Sequence, residues 1–214
     1  FYRDIQSTVD EKQRVARKAI AEKHNKVGAY GESNIGVTGF LNNANVTLVN
    51  STFDLHAATT TADDIYEFII DQIQTMHTAS NNVDMPYDLL VSDDVWFELK
   101  GRRVPDGDKS LMAYVLENLS DSGKAFRILK ASEANSAKLE AAGVQSGGTN
   151  KNRMVLYVND PEVVERHISV PALMPEDYSY SKGANKIYPM YSCTSPVIIN
   201  YSTAVRYIDT PKKS

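Results

Sequence analysis

The residues of this chain with reactive side chains or site-forming patterns are four histidines, two pairs of adjacent aspartates, one cysteine, two glycine motifs and one basic cluster. A metal would need ligands at helical or hairpin spacing. His24, His56, His77 and His167 have no His-x-x-x-His or Glu-x-x-His companion. Each reads as a surface or half-buried polar group. Asp63-Asp64 and Asp93-Asp94 would have to share a proton to act as an acid–base dyad, but neighbouring residues on a helix point apart. Both pairs stand where a helix begins and its dipole favours negative charge. Gly147-Gly148-Thr149-Asn150-Lys151 has the composition of a phosphate loop. It lacks the Gly-x-x-x-x-Gly-Lys-Ser/Thr spacing, and a strand follows it where a helix is needed. Gly36-x-x-Gly39 has two of the three glycines of a dinucleotide fingerprint and no helix after it. Cys193 lies in a tyrosine-rich strand with no histidine nearby in sequence to activate it. These residues leave no catalytic group, no cofactor-binding group and no metal ligand.

Lys100, Arg102 and Arg103 form the one dense basic cluster beyond the first helix, beside Trp96 and Phe97. Nucleic-acid readers interleave aromatics with a net basic patch, and three charges in a loop are a weak version of that. A contact to an acidic surface on a neighbouring copy is the favoured reading. The charge distribution bears on it. Residues 1–26 carry seven Lys/Arg and four Asp/Glu, residues 27–99 carry none and eleven, and residues 100–214 carry sixteen and twelve. A net charge of −4 therefore conceals an acidic block between two basic ones. Such a block repels itself unless bases lie nearby. Pairing within the chain would relieve it. So would pairing of one copy's acidic block with the basic block of the next. Charge alone favours neither. The candidate subunit-contact residues are Asp63, Asp64 and Glu67 on the acidic side, with Lys100, Arg102 and Arg103 on the basic side.

At 214 residues the chain can form one domain, or two small ones that share strands. A single cysteine forms no internal disulfide, which fits a reducing compartment. No stretch approaches the ~20 apolar residues of a membrane helix, so no membrane partner is expected. The start, Phe1-Tyr2-Arg3-Asp4, is polar and lacks Met. The expectation is a chain without a signal peptide, cut or read from inside a longer product.

The elements that position these groups follow from periodicity. Ile5, Val9, Ala16, Ile20 and Val27 share a helix face, and Gly28 and Gly31 end the pattern. Gly36, Gly39, Phe40 and Leu41 then read as a rigid corner. Its glycines permit positive φ or close approach, and its apolar pair docks one large element onto another. Residues 44–56 look extended. Thr61 caps a helix over 62–78 in a Thr-x-x-Asp box with Asp64. A strand over 87–91 leads to Ser92, which caps a helix over 93–100. Ser110 caps another helix after a charged loop. Residues 126–129 form a strand and 131–142 are weakly helical. A flexible loop spans 145–152, and 153–158 is a strand. Asp160-Pro161 predicts a short helix over 162–167. From Ile168 onward tyrosines, β-branched residues and prolines predict sheet at 187–188, 190–193 and 197–201. This late sheet needs a helix to cover it, so the first and last parts are expected to pair around an inserted middle.

Taken together, these motifs resemble the shell-forming part of a tailed-phage major capsid protein with the Hong Kong 97 fold. The first helix followed by Gly36-Val37-Thr38-Gly39-Phe40-Leu41-Asn42-Asn43 resembles that family's spine helix and its corner. Thr61-Ala62-Asp63-Asp64-Ile65 resembles the start of the helix that opens the axial domain. Tyr87 to Trp96 resembles the family's strand, turn and short helix. Arg153 to Pro161 and Ser195 to Ile199 resemble its closing strands. The resemblance implies an α+β fold. A peripheral domain (1–60 and 161–214) would hold the spine helix and an antiparallel sheet, and an inserted α/β axial domain would span 61–160. It implies a non-enzymatic, cofactor-free subunit of hexamers and pentamers in an icosahedral shell. That shell would enclose double-stranded DNA non-specifically, with portal, scaffold or decoration proteins as further partners. It implies a virion protein made in the bacterial host cytoplasm. The family also carries an N-terminal arm and an extended loop before the spine helix. Almost nothing precedes Ile5 here, so both are expected to be missing. An encapsulin-like nanocompartment shell is a second reading on the same fold. A small α/β enzyme using Asp93, Lys100 and His167 is a third.

Overall fold

A 29-residue helix, α1 (Tyr2–Tyr30), opens the chain and overruns the expected 5–27 at both ends. The structure, a computed structural model, describes residues 2–105, 108–120, 123–144, 150–173, 180–182, 185–187 and 189–213. Gly28 lies inside α1 at a buried position, and the helix stops at Gly31, whose φ is +74°. There β1 (Gly31–Glu32) pairs antiparallel with β2 (Val37–Thr38). A 3-10 turn at Ser33–Ile35 joins them and closes on Gly36 at φ +67°. Gly39 is a close-approach glycine, as Gly31 is: a Cβ at Gly39 would stand 2.4 Å from the Gly31 nitrogen. The next amide, Phe40 N, donates to the Gly28 carbonyl at 2.9 Å. The corner therefore exists as a folded-back ribbon at the end of α1.

The remaining elements, in order, are β3 (Thr47–Asn50), α2 (Ala62–Ala79), β4 (Asp88–Val91), α3 (Asp93–Gly101), α4 (Leu111–Leu119), β5 (Arg127–Lys130), α5 (Ser136–Ala141), β6 (Lys151–Tyr157), β7 (Val164–Leu173), β8 (Tyr180–Lys182), β9 (Asn185–Ile187), β10 (Tyr191–Ile199) and β11 (Val205–Pro211). They fall into two compact units, Phe1–Phe40 with Arg166–Val197 and Leu41–Glu165 with Ile198–Ser214. In the first unit, β7 and β10 form a two-stranded ribbon and β8 and β9 a hairpin. Arg166 donates to the His24 carbonyl of α1 at 2.6 Å, so the early helix and the late strands share a unit.

The second unit is built on a five-stranded mixed sheet ordered β3-β11-β6-β4-β5. Its central strands pair antiparallel, Ile208 opposite Met154 and Leu89 opposite Leu156. Leu89, Met154, Leu156 and Ile208 meet Phe68 and Ile69 of α2. Strand alternation therefore presents one apolar row to one apolar helix stripe. The α2 start is as expected: Asp64 N donates to Thr61 Oγ1 at 3.2 Å and Thr61 N donates to Asp64 Oδ2 at 2.7 Å. The bonds that its carboxylate accepts from Thr61 N and from Thr61 Oγ1, the latter also at 2.7 Å, hold the Asp64 carboxyl below its ordinary value. Thr61→Ala removes the cap and is expected to lower stability by about 1 kcal/mol, read as a lower urea midpoint at unchanged slope.

Several expectations need correction. The segment 162–167 is not a helix. Asp160 does make a turn, accepting from Glu162 N through Oδ1 at 2.8 Å and from Val163 N and Val164 N through its carbonyl. After that turn the β-branched pair Val163-Val164 leads into β7, where pairing with β10 replaces helical bonds. The compact units meet after residues 40, 165 and 197, and β3 joins the sheet of the second unit through β11, which pairs with β6. Extended structure in 44–56 is a regular strand only at β3. The central strand β11 has no counterpart among the expected elements. Gly147 to Thr149, Tyr188 and the tip of the 101–109 loop lie outside the described residues. Among the described residues no helix is long and apolar enough to cross a membrane.

Candidate functional site

The corner leaves on Leu41, which is 2% exposed, and an ion pair under the sheet holds it. Arg153 on β6 stands opposite Asp209 on β11. Its Nε and Nη2 donate to the two carboxylate oxygens of Asp209 at 2.8 Å each. Its remaining nitrogen, Nη1, donates to the Leu41 carbonyl. The guanidinium lies 4.9 Å from the Tyr207 ring centroid, and the Tyr207 hydroxyl accepts from Asn43 N at 3.2 Å. Arg153 and Asp209 are 2% and 0% exposed, so this fork is fully withdrawn from water. A buried carboxylate survives only with such a partner. The sequence reading misses both residues. The available signal is an arginine inside an apolar strand and an aspartate inside Val205–Thr210, each requiring a counter-charge.

Burial pushes the Tyr207 phenol up to about 12. Burial, with the Asp88 carboxylate beside it, does the same for Tyr157, also to about 12. Near neutrality both phenols are uncharged in either state. Above pH 10 the unfolded chain ionises first and draws the equilibrium toward unfolding. Stability is therefore fully present below pH 10 and falls as pH rises through 12, by about 2–3 kcal/mol for each tyrosine. The expected result is that slow phenolate absorbance and loss of circular dichroism rise together across this window.

Glu98 on α3 is a second hub. Arg102 Nη2 and Nε donate to its Oε1 at 2.7 and 3.0 Å, His56 Nδ1 lies 3.4 Å from its Oε2, and Lys213 lies at 3.6 Å. Burial pushes the Glu98 carboxyl up, but bonds from Arg102 and His56 outweigh it and hold it below its ordinary value. Arg102 also donates to the carbonyls of Leu55 and Thr60. It is thus a clamp between α3 and the segment before α2.

The other proposed contact residues fall differently. Lys100 is exposed, with its ammonium 4.7 Å from the Trp96 ring centroid. Arg103 is 71% exposed, 3.5 Å from Asp108. Asp64 is committed to the α2 cap. Asp63 and Glu67 lie on the exposed face of α2 with Asp71. Pairing inside the chain takes up Glu32 with Lys23, Asp88 with Arg127 at 2.5 Å and Asp93 with Lys130 at 3.4 Å. It does not reach Asp63, Glu67 or Asp71 among the described residues.

The residues with reactive side chains stay apart in their roles. His77 Nδ1 lies 3.1 Å from the Asp84 carbonyl, Asp93 accepts from Asn135 at 2.7 Å and Asp94 from Asn152 at 3.2 Å. Among the described residues no group of three His, Cys, Asp or Glu is placed to hold a metal. Buried clamps hold Leu41 and α3 within the five-stranded unit, and unspent charge lies on the helix surfaces.

A family model described as major capsid protein matches residues 5–210. The solved capsid of Myoviridae phage XM1 has the same fold at a TM-score of 0.78 and 14% identity, over 95% of this chain and 65% of that one. The virus-like particle from Pyrococcus furiosus gives 0.52 at 11% identity, over 78% of this chain and 57% of that one. At such identities the likeness is one of fold, a mixed helix–sheet capsid fold, and this chain spans less than two thirds of either relative. No curated protein matches. The family is one of structural subunits and not of enzymes. Because its model runs through both compact units, from the first turns of α1 to the end of β11, the chain belongs to the major capsid protein family.

Proposed function

We propose that the protein is the shell-forming subunit of a tailed-phage capsid of the Hong Kong 97 type. Its copies build hexamers and pentamers of an icosahedral shell, which encloses double-stranded DNA without reading its sequence. The family match over residues 5–210 carries this reading, and the fold likeness to the phage XM1 capsid supports it. In this reading the unit of α1, β7 and β10 takes the peripheral role and the five-stranded unit takes the axial role. The exposed acids of α2 and the exposed bases Lys100 and Arg103 serve contacts between copies. Portal, scaffold or decoration proteins are further partners, and the mature location is the virion, after synthesis in the bacterial host cytoplasm. Electron microscopy and sedimentation of the full-length gene product test this. Shells, or rings of five and six, are expected. Compact monomers at high concentration would overturn it.

The likeness to the Pyrococcus furiosus particle keeps an encapsulin-like shell as a second reading. The contents of purified particles decide between them. DNA supports the phage capsid, and a packaged enzyme supports the nanocompartment.

A further inference from the structure

Two surfaces of the five-stranded unit present exposed aromatic and charged groups. The first is on α3 and the end of β5. Val95 and Leu99, 0% and 1% exposed, supply the buried face of α3. Phe97 is left 62% exposed beside Trp96, the two rings edge to face at 5.2 Å and 88°. The Lys100 ammonium lies 4.7 Å from the Trp96 centroid. That of Lys130 lies 5.4 Å from Trp96 and 5.3 Å from Phe97. Packing within the chain does not account for an aromatic presented this way. Aromatic anchors with flanking cations have the composition of an interface core, and cation–π attraction strengthens as water leaves.

The second surface is the outer face of α2. Asp63, Glu67 and Asp71 follow one another at intervals of four, exposed on one stripe. Like charges at this spacing repel. No Lys or Arg occurs between residues 27 and 99 to relieve them, and the described residues offer them no ion pair.

We propose that the Trp96–Phe97–Lys100–Lys130 patch of one copy docks on the Asp63–Glu67–Asp71 stripe of a second copy. The inference rests on the capsid reading above and names a contact that would operate within it. The charges decide the occupant. The patch asks for a row of carboxylates without bases, and this same chain carries one on a rigid helix. Two different surfaces of identical copies make a head-to-tail contact, which closes into a ring when the rotation closes. Asp93 stands 3.4 Å from Lys130 and shares its charge, so Lys100 supplies the undivided positive charge of the patch among the described residues.

The experiment uses the full-length gene product. Lys100→Glu with Lys130→Glu, and Glu67→Lys with Asp71→Lys, are each expected to abolish shells in micrographs while circular dichroism stays at the wild-type value; the thermal midpoint of the first falls only slightly, by what a half-exposed ion pair with Asp93 is worth. The variant carrying all four changes is expected to regain shells. A direct readout on assembled wild-type-like particles is Phe97→Cys with Glu67→Cys in a Cys193→Ser background. Oxidation should then give a ladder of cross-linked subunits. Normal shells from both double variants, or loss without rescue in the fourfold variant, would overturn the contact and leave the capsid reading standing. Normal shells with reduced DNA content would also overturn it, assigning the patch to nucleic acid. A wild-type protein that never assembles would instead remove the capsid reading.

Discussion

Arg153→Met is expected to destabilise the five-stranded unit by about 3–5 kcal/mol, because it strands the Asp209 carboxylate in a site with 0% exposure. The side chain of methionine fills much of the arginine's volume, so the loss is electrostatic more than a cavity effect. The double variant Arg153→Met with Asp209→Leu should recover most of it, since a buried pair replaced by apolar groups of similar size is often neutral. It should not recover all of it. Arg153 also donates to the Leu41 carbonyl, and no methionine can do so. A remaining deficit of about 1 kcal/mol is expected from that unsatisfied acceptor. Urea unfolding of the three proteins separates the two effects. A single variant within about 1 kcal/mol of wild type would show that water reaches Asp209 and that the fork is not a buried anchor. Loss of shells in the double variant, despite recovered stability, would show that Leu41 must be held in place for assembly and not merely for folding.

The same pair shows where sequence reading stops. The start of α2 is legible because a capping box is local: Thr61 and Asp64 satisfy each other within one turn. The start of α3 is legible for the same reason through Ser92, whose side chain accepts from Val95 N. Strand β11 is not, because its polar residues Arg206 and Asp209 break the apolar alternation, and their partners lie elsewhere in the chain: Gln72 for one and Arg153 for the other. The expected helix at 162–167 fails by the same logic. Asp160-Pro161 encodes a turn, but the strand that pairs with the next segment and holds it extended is β10, which begins only at Tyr191. Arg102 is different, since its role was within reach of the sequence. Its spacing of four from Glu98 on one helix already points to a bond within the chain. Charge segregation, by contrast, leaves both kinds of pairing open, and the structure divides them. The acids of β4 and α3 are paired inside the molecule and those on the outer stripe of α2 are not, a division that depends on which face of each element turns to the sheet.

Gly31→Ala is expected to be the most damaging single substitution in the corner, and Gly36→Ala its internal control. Both glycines have left-handed backbone, φ +74° and +67°. Alanine at either position therefore meets a similar conformational cost, of the order of 1 kcal/mol. The surroundings differ. At Gly36 nothing lies within 4 Å of the added Cβ. At Gly31 the Cβ would stand 2.0 Å from the Val37 carbonyl oxygen, 2.6 Å from the Thr38 carbonyl carbon and 2.8 Å from Gly39 N. All three are backbone atoms, so no side chain can rotate away. The β1–β2 pairing, with Gly31 opposite Thr38, has to open. Phe40 N then loses its place on the Gly28 carbonyl. A total loss of about 3 kcal/mol or more is expected for Gly31→Ala against about 1 kcal/mol for Gly36→Ala. Hydrogen exchange checks the mechanism directly. The Phe40 amide should lose protection in the first variant and keep it in the second, while amides of β6 and β11 stay protected in both. Equal effects at the two positions would mean that backbone conformation alone sets the cost and that the folded-back ribbon has room to spare. A selective loss at Gly31, accompanied by loss of shells, would tie assembly to the geometry with which the chain leaves its first helix.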